Sequence, residues 1–341
     1  MRHLRILYIG TISGTCLDRA NAYRRMGHEV VHLDMRQWLH PSAWIDRVTW
    51  RIGGHVFSPW LAKRMGREIR AQKPFDLCHV DNGEWVTPEV IDVLRQACGQ
   101  VINYNIDDPT GPRDRARFSA YRRAAFKYDL LAVVREENVE ECARLGASRV
   151  LRVWRSADEV SHAPRLMTEK TREAWQSEVL FLGTWMPERG PFLLKLIQLG
   201  VPLSIRGAHW QKAPEWEHLR DHWIGGPVSG DEYAYAIQSA KVNLGLLSKG
   251  NRDLHTTRSM EVPSLGGVLC AERTPEHRQL YQEGVEAVFW STAQECASLC
   301  KQLLADDALR ESLAAAGHRR YVSAGYSNQS VLNQIIEQVM A

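Results

Sequence analysis

VNLGLLSKGNRDLHTTRSMEVPSLGGVLCA, residues 242–271, contains a whole strand–turn–helix–strand unit. Val242–Leu247 is an apolar strand, and Thr256–Thr257 offers a helix start. Glu261 lies inside that helix, Gly266–Gly267 ends it, and Val268–Ala271 is a second apolar strand. Lys249, Arg252 and Arg258 put three cations around the helix start. Backbone N–H groups at a helix N-terminus, with cations beside them, suit an anion. A carboxylate one turn further in cannot share the anion, but it accepts hydrogen bonds from sugar hydroxyls. Phosphate and polyol recognised side by side is what a nucleotide-sugar pocket needs. The competing reading is a surface helix with scattered charges, in which Arg258 and Glu261, three apart, form an ordinary helix pair. His255 either caps the helix or touches phosphate.

Outward from this unit, strands alternate with helices along the whole chain. Upstream lie strands at Glu178–Leu182, Pro202–Arg206 and near Trp223–Ile224, and downstream one at Ala287–Trp290. Gly183-Thr184 follows the first of these, with Arg189 opening the next helix. Ser229-x-x-Glu232 reads as a capping box for a helix to Ser239. Trp185 and Trp210 sit in turns after strands, where they pack in the core or stack on a base. Helices run from Ala293 to Ala305, from Leu309 to Ala316 and from Gln329 to the end.

The N-terminal half has six strand-like runs: Leu4–Gly10, Glu29–Asp34, Phe75–Val80, Gln100–Tyr104, Asp129–Val134 and Arg149–Trp154. Gly10-Thr-Ile-Ser-Gly14 is a glycine-punctuated turn but not the dinucleotide fingerprint. Asp81, Asp107 and Asp108 follow strands, where parallel sheets bind ligands; Asp108 before Pro109 also suits a turn. Arg113–Lys127 reads as a basic helix with a solvated face. The polar stretch Arg155–Trp175 reads as a linker. The fold class is therefore α/β, with two doubly wound Rossmann-like domains at 1–160 and 176–320 and a C-terminal helical segment at 321–341.

At 341 residues there is room for two such domains. A net charge of +3 is too small to imply a nucleic-acid partner. Basic function must come from local patches, and residues 36–72 hold one: Trp38, Trp44, Trp50 and Trp60 lead into WLAKRMGREIRAQK. Such a segment makes peripheral contact with an anionic membrane or a polymeric acceptor, or is a helix pair with a solvated basic face. Seven cysteines without a CxxC pair give zinc no support and fit free thiols in a reducing cytoplasm. Cys296 and Cys300, four apart, read as packing. No apolar run approaches the roughly 20 residues of a membrane span.

The C-terminal half resembles the glycosyltransferases of the GT-B fold, and more closely the bacterial CgeB-like spore maturation group. The resemblance rests on FLGTWMPERG (181–190), IRGAHW (205–210), YAYAIQSAKVNLGLLS (233–248), NRDLHTTRSMEVPSLGGVLCAERTPEH (251–277), EGVEAVFWSTAQE (283–295) and DDALRESLAAAGHRR (306–320). RILYIG, the glycine turn and NIDDP add a thinner match in the N-terminal half. The resemblance implies a nucleotide-sugar donor, a UDP-sugar foremost, in the C-terminal domain. It implies an acceptor on the N-terminal domain, at the side of Gly14 and Asp81, catalysis in a cleft between them, and a last helix that returns to the first domain. Related retaining enzymes carry two glutamates eight positions apart. Glu261 takes the second place, on the ribose hydroxyls, and Asp253 the first, on the transferred sugar. That shorter carboxylate leaves the stereochemistry open. Arg189 and Lys249 resemble the pair that clamps the diphosphate, beside the Gly183–Thr184 turn. His255, Thr256, Thr257 and Arg258 complete the donor set, and Asp107 is a second catalytic candidate as a base or acceptor contact.

No D-x-D triplet occurs in the sequence. The cations of 249–258 can take over a metal's task, so the reaction is expected to need neither metal nor cofactor. Three functions fit: a glycosyltransferase, a sugar-nucleotide epimerase, and a silent sugar-nucleotide or glycan-binding protein. The acceptor and the oligomeric state are not legible in the sequence.

Overall fold

The computed structural model describes residues 2–39 and 42–340. Two compact units emerge: Met1–Trp154 with Gly250–Arg252 and Asn328–Ala341, and Arg155–Lys249 with Asp253–Ser327. The first contains strands β1 (Arg5–Ile9), β2 (Glu29–Leu33), β3 (Phe75–Asp81), β4 (Cys98–Asn105), β5 (Leu130–Val133) and β6 (Val150–Arg152). The second contains β7 (Ser177–Leu182), β8 (Leu203–Arg206), β9 (Trp223–Gly225), β10 (Ala240–Gly245), β11 (Leu269–Glu272) and β12 (Val288–Trp290). All pair in parallel. Each of the twelve expected strands is present, its ends within two residues of the sequence reading. Both faces of each sheet are covered, so the strands are near-continuous apolar runs that composition alone marks out.

Strand order in the first sheet is β2-β1-β3-β4-β5-β6. Alternate residues of its strands serve two cores. Leu7, Ile9, Val80, Val101 and Leu131 pack against Leu61, Met65, Val90 and Leu94. Ile6, Tyr8, Leu77, Ile102 and Leu130 pack against Ala20, Tyr23 and the C-terminal helix Asn328–Met340. That helix buries Val331, Leu332, Ile335, Ile336 and Val339, a stripe at helical spacing. In the second sheet the order is β12-β11-β10-β7-β8-β9.

Three local expectations need correction. Residues 113–118 form turns, and the helix Ser119–Ala124 with a 3₁₀ turn to Lys127 covers only the end of the expected Arg113–Lys127 helix. The cause is Arg117, whose Nε donates to Glu84 at 2.7 Å and whose guanidinium lies 3.2 Å from Asp107. Ser229 makes no capping hydrogen bond, because the helix Gly230–Gln238 opens on Gly230 at φ +58°. The expected linker is partly ordered as a helix, Glu169–Trp175, capped by the Thr168 hydroxyl. Helix Arg258–Ser264 ends as its glycines require: Gly266 has φ +75° and Gly267 N–H donates to the Val262 carbonyl at 2.9 Å. Among the described residues no helix is long and apolar enough to cross a membrane.

Candidate active site

In doubly wound sheets, ligands bind beyond the strand C-termini at the point where strand order reverses. That point lies between β7 and β10 in the second sheet and between β1 and β3 in the first.

At the β7/β10 point, the turn Gly183–Thr184 follows β7 and the segment from Leu246 follows β10. Arg189, at the start of the helix Arg189–Gln198, spans both. Its Nη1 donates to the Thr184 carbonyl at 2.8 Å and its Nη2 to the Leu246 carbonyl at 3.3 Å. Arg258 hangs from the same strand end, with Nε donating to the Leu182 carbonyl at 3.1 Å. Gly207 packs so closely on this turn that a Cβ there would stand 2.1 Å from the Gly183 carbonyl oxygen. Trp210 is fully buried, with its indole N–H donating to that same oxygen at 2.9 Å, and so belongs to the core. Two arginines are thus fixed by backbone carbonyls at and just beyond the ends of β7 and β10.

Glu261 is buried, with 5% exposure. Its Oε2 accepts from Tyr233 OH at 2.5 Å and from Arg258 Nη1 at 2.5 Å, and its Oε1 lies 3.5 Å from His162 Nε2. Burial pushes the carboxyl up, but Arg258, His162 and Tyr233 together hold it below the ordinary carboxylate range. Glu261 is therefore a fixed anion. Thr256 and Thr257 stand half-buried at the start of the helix Arg258–Ser264, and their hydroxyls accept from the Arg258 backbone N–H at 3.3 Å and from Arg258 Nη1 at 3.4 Å.

The other charged residues of 249–258 are engaged within their own units. The Lys249 ammonium pairs with Glu272 at the end of β11, and its backbone N–H donates to Glu188 at 3.1 Å. Arg252, at φ +52°, donates to Asp108 through Nε and Nη2, both at 2.7 Å, and to Glu141 at 2.8 Å. These bonds hold the Glu141 carboxyl down at about 2. Asp108 also caps Gly111 N–H at 3.0 Å, so the turn role and the ion-pair role coincide. Asp253 is buried against Arg155 at 2.8 Å. His255 is 2% exposed: Nε2 accepts from the Arg155 backbone N–H at 3.2 Å, which puts the ring proton on Nδ1, facing Glu276 at 2.5 Å. With both nitrogens occupied, this ring ties the loop together and has no atom left for a phosphate.

At the β1/β3 point a cavity of about 440 Å³ is lined by Gly10, Asp34, Trp50, Asp81, Glu84 and Arg117, among others. Gly14 opens the helix Gly14–Arg25 at φ +53°. Asp81, at the end of β3, accepts from Tyr8 OH and lies 3.3 Å from Arg19. Asp107 is held by Asn82 Nδ2 at 3.1 Å and by Arg117, which also binds Glu84. Cys16 lines the cavity too, but burial, with Asp81 next, pushes its thiol up to about 11, so it is not a ready nucleophile.

Residues 189–337 match the family model described as "Glycosyl transferase-like". Among solved structures, Anabaena HepE in complex with UDP and glucose is similar with a TM-score of 0.68 and 11% identity, over 99% of this chain and 100% of that one. Sucrose-phosphate synthase from Thermosynechococcus elongatus gives 0.69 and 14%, over 99% of each. AviGT4, a glycosyltransferase of avilamycin A biosynthesis, gives 0.62 and 14%, over 99% of this chain and 97% of that one. The fold is that of the GT-B glycosyltransferases. No curated protein matches the sequence.

In this GT-B fold the sequence reading missed Tyr233, His162, Arg155 and Glu272. Tyr233 and His162 meet Glu261 from 28 and 99 positions away, and no spacing rule links them. Cys270 likewise joins Cys296 and Cys300, the three buried sulfurs lying within 4.8 Å of one another.

Proposed function

We propose that this chain is a metal-independent glycosyltransferase that takes a nucleotide sugar, a UDP-sugar foremost, as donor. The observation that carries this reading is the constellation at the β7/β10 point. A buried carboxylate, Glu261, is bonded to Arg258, which hangs from the end of β7, and Arg189 is anchored to carbonyls beyond β7 and β10. The family match over 189–337 covers all three residues, and HepE, similar in fold, is a complex with UDP and glucose. Membership of the CgeB-like group and a cytoplasmic site are part of the same proposal.

In this reading Glu261 accepts from the ribose hydroxyls. Arg189 and Arg258, with the backbone at Gly183–Thr184 and Thr256–Thr257, face the diphosphate. Lys249 joins them by exchanging Glu272 for a phosphate oxygen. As the bond between sugar C1 and the β-phosphate oxygen breaks, negative charge grows on that oxygen while C1 becomes cationic. Fixed cations stabilise that charge more in the transition state than in the ground state. The acceptor hydroxyl forms the new bond to C1, and its proton passes to the departing phosphate in a retaining, same-face displacement. Asp253 is the residue proposed to face the sugar, held in place by Arg155 at 2.8 Å. The acceptor binds in the β1/β3 cavity, where the lining residue Asp81 offers an acceptor for its hydroxyls, and Asp107, bonded to the lining residues Asn82 and Arg117, is the proposed second contact.

A panel of nucleotide sugars tests the reading. Release of a nucleoside diphosphate is expected, undiminished by EDTA. An isomerised donor without release establishes an epimerase, and saturable binding without turnover a silent binder. Activity lost to EDTA and restored by a divalent cation overturns the cation-clamp mechanism.

A further inference from the structure

The first unit carries a surface of which the proposed chemistry uses only the cavity edge at Trp50. Helix Ala43–Ile52 and helix Ser58–Arg70 flank a 3₁₀ turn at Gly54–Phe57. At 3.6 residues per turn, Trp44, Arg47, Trp50 and Arg51 share one side of the first helix, and all four are exposed. In the second helix Leu61, Met65 and Ile69 are buried. Its opposite side presents Trp60, Lys63, Arg64, Arg67 and Arg70 to solvent. Trp44, Trp50 and Trp60 are 64%, 58% and 45% exposed, and Ile52 and Val56 between them are 53% and 43% exposed. Residues 42–73 hold seven Lys and Arg against two Asp and Glu. One of those carboxylates, Glu68, pairs with Arg64 at 2.7 Å.

Three tryptophans left half in water forfeit the transfer free energy that burial would return, and large exposed apolar groups grouped together mark a contact surface. Tryptophan amid arginine and lysine has a specific chemical complement. The indole settles at the level of lipid headgroups, and the cations are drawn to anionic ones. We propose that the first unit docks on an anionic phospholipid bilayer through the exposed sides of these two helices. A soluble polyanion would satisfy the cations alone and leave the indoles and Ile52 in water, so the bilayer accounts for more of the surface. Trp50 lines the β1/β3 cavity as well as this face, so a docked protein holds the rim of its cavity at the headgroup layer.

The test is sedimentation of the full chain with vesicles of phosphatidylcholine mixed with phosphatidylglycerol, and with phosphatidylcholine alone, while tryptophan emission is followed. Binding to the mixed vesicles is expected, with a blue shift, weakened by salt. Lys63→Gln with Arg67→Gln is expected to lower partitioning roughly 25-fold, about fivefold for each cation near the surface. Trp44→Ser with Trp60→Ser is expected to remove most of the blue shift. All four side chains face solvent, so an unchanged melting temperature verifies that the variants fold. No sedimentation, equal binding to phosphatidylcholine alone, variants that bind as wild type does, or binding only to soluble heparin without a spectral shift would each overturn the proposal.

Discussion

Glu261→Ala is expected to weaken binding of a nucleoside diphosphate about ten- to a hundredfold. Hydrogen bonds to a charged acceptor are each worth about 1.5–3 kcal/mol, and the ribose would lose its only proposed carboxylate. A second effect adds to this. Arg258 and Tyr233 both donate to Glu261 Oε2 at 2.5 Å, and truncation leaves them facing a buried void. Removing one partner of a buried ion pair costs about 3–5 kcal/mol, so the melting temperature should fall as well. Glu261→Gln separates the two effects. The amide oxygen still accepts from Tyr233, so stability should largely recover while affinity recovers only in part. Titration calorimetry with UDP measures the affinities, and an alanine variant that binds as tightly as wild type contradicts the ribose assignment.

Arg189→Ala is expected to lower kcat by a factor of roughly 100 to 1,000, or about 3–4 kcal/mol, as when a preorganised oxyanion donor is removed. The effect should fall on kcat more than on KM, because the leaving phosphate carries more charge in the transition state than in the bound donor. Arg189→Lys should rescue little. One ammonium cannot donate to the Thr184 and Leu246 carbonyls and still face a phosphate, whereas the guanidinium fork has donors to spare. Steady-state release of nucleoside diphosphate reads the result, and an unchanged kcat in the alanine variant removes Arg189 from the clamp.

The architecture was legible because buried parallel strands announce themselves as apolar runs between glycine-rich turns, and each such run in this sequence became a strand. Gly183, Arg189 and Glu261 were legible as ligand-facing candidates on different grounds. Glu261 lies in the helix that follows a strand and a run of cations, and Gly183 and Arg189 follow a strand end but took their roles from the resemblance to GT-B glycosyltransferases. Charge pairing was legible only between helix neighbours, where Arg258 meets Glu261 three positions on at 2.5 Å; pairing over longer separations was not. In the sequence, Lys249, Arg252 and Arg258 look like three equivalent cations around one helix start. In the fold Arg252 lies in the first unit on Asp108, 144 positions away, and Lys249 is held by Glu272. Asp253 meets Arg155 across 98 positions. Such partners are set by topology, and helical or strand periodicity carries no trace of them. His255 shows the same limit, because its burial against Glu276 and the Arg155 backbone follows from where two loops meet. The expected Arg113–Lys127 helix failed for an allied reason: the pull of Glu84 and Asp107 on Arg117 outweighs local helix propensity.

In the proposed function the β7/β10 point of the second unit binds the nucleotide of an activated sugar. The most direct measurement is the thermal stability of the wild-type chain against rising concentrations of UDP and the other nucleoside diphosphates. One of them should stabilise the protein by about 2.7 kcal/mol at a hundred times its Kd, and Glu261→Ala should cut that stabilisation to about 0.4–1.4 kcal/mol at the same concentration. A melting temperature indifferent to every nucleoside diphosphate and nucleotide sugar would contradict this assignment.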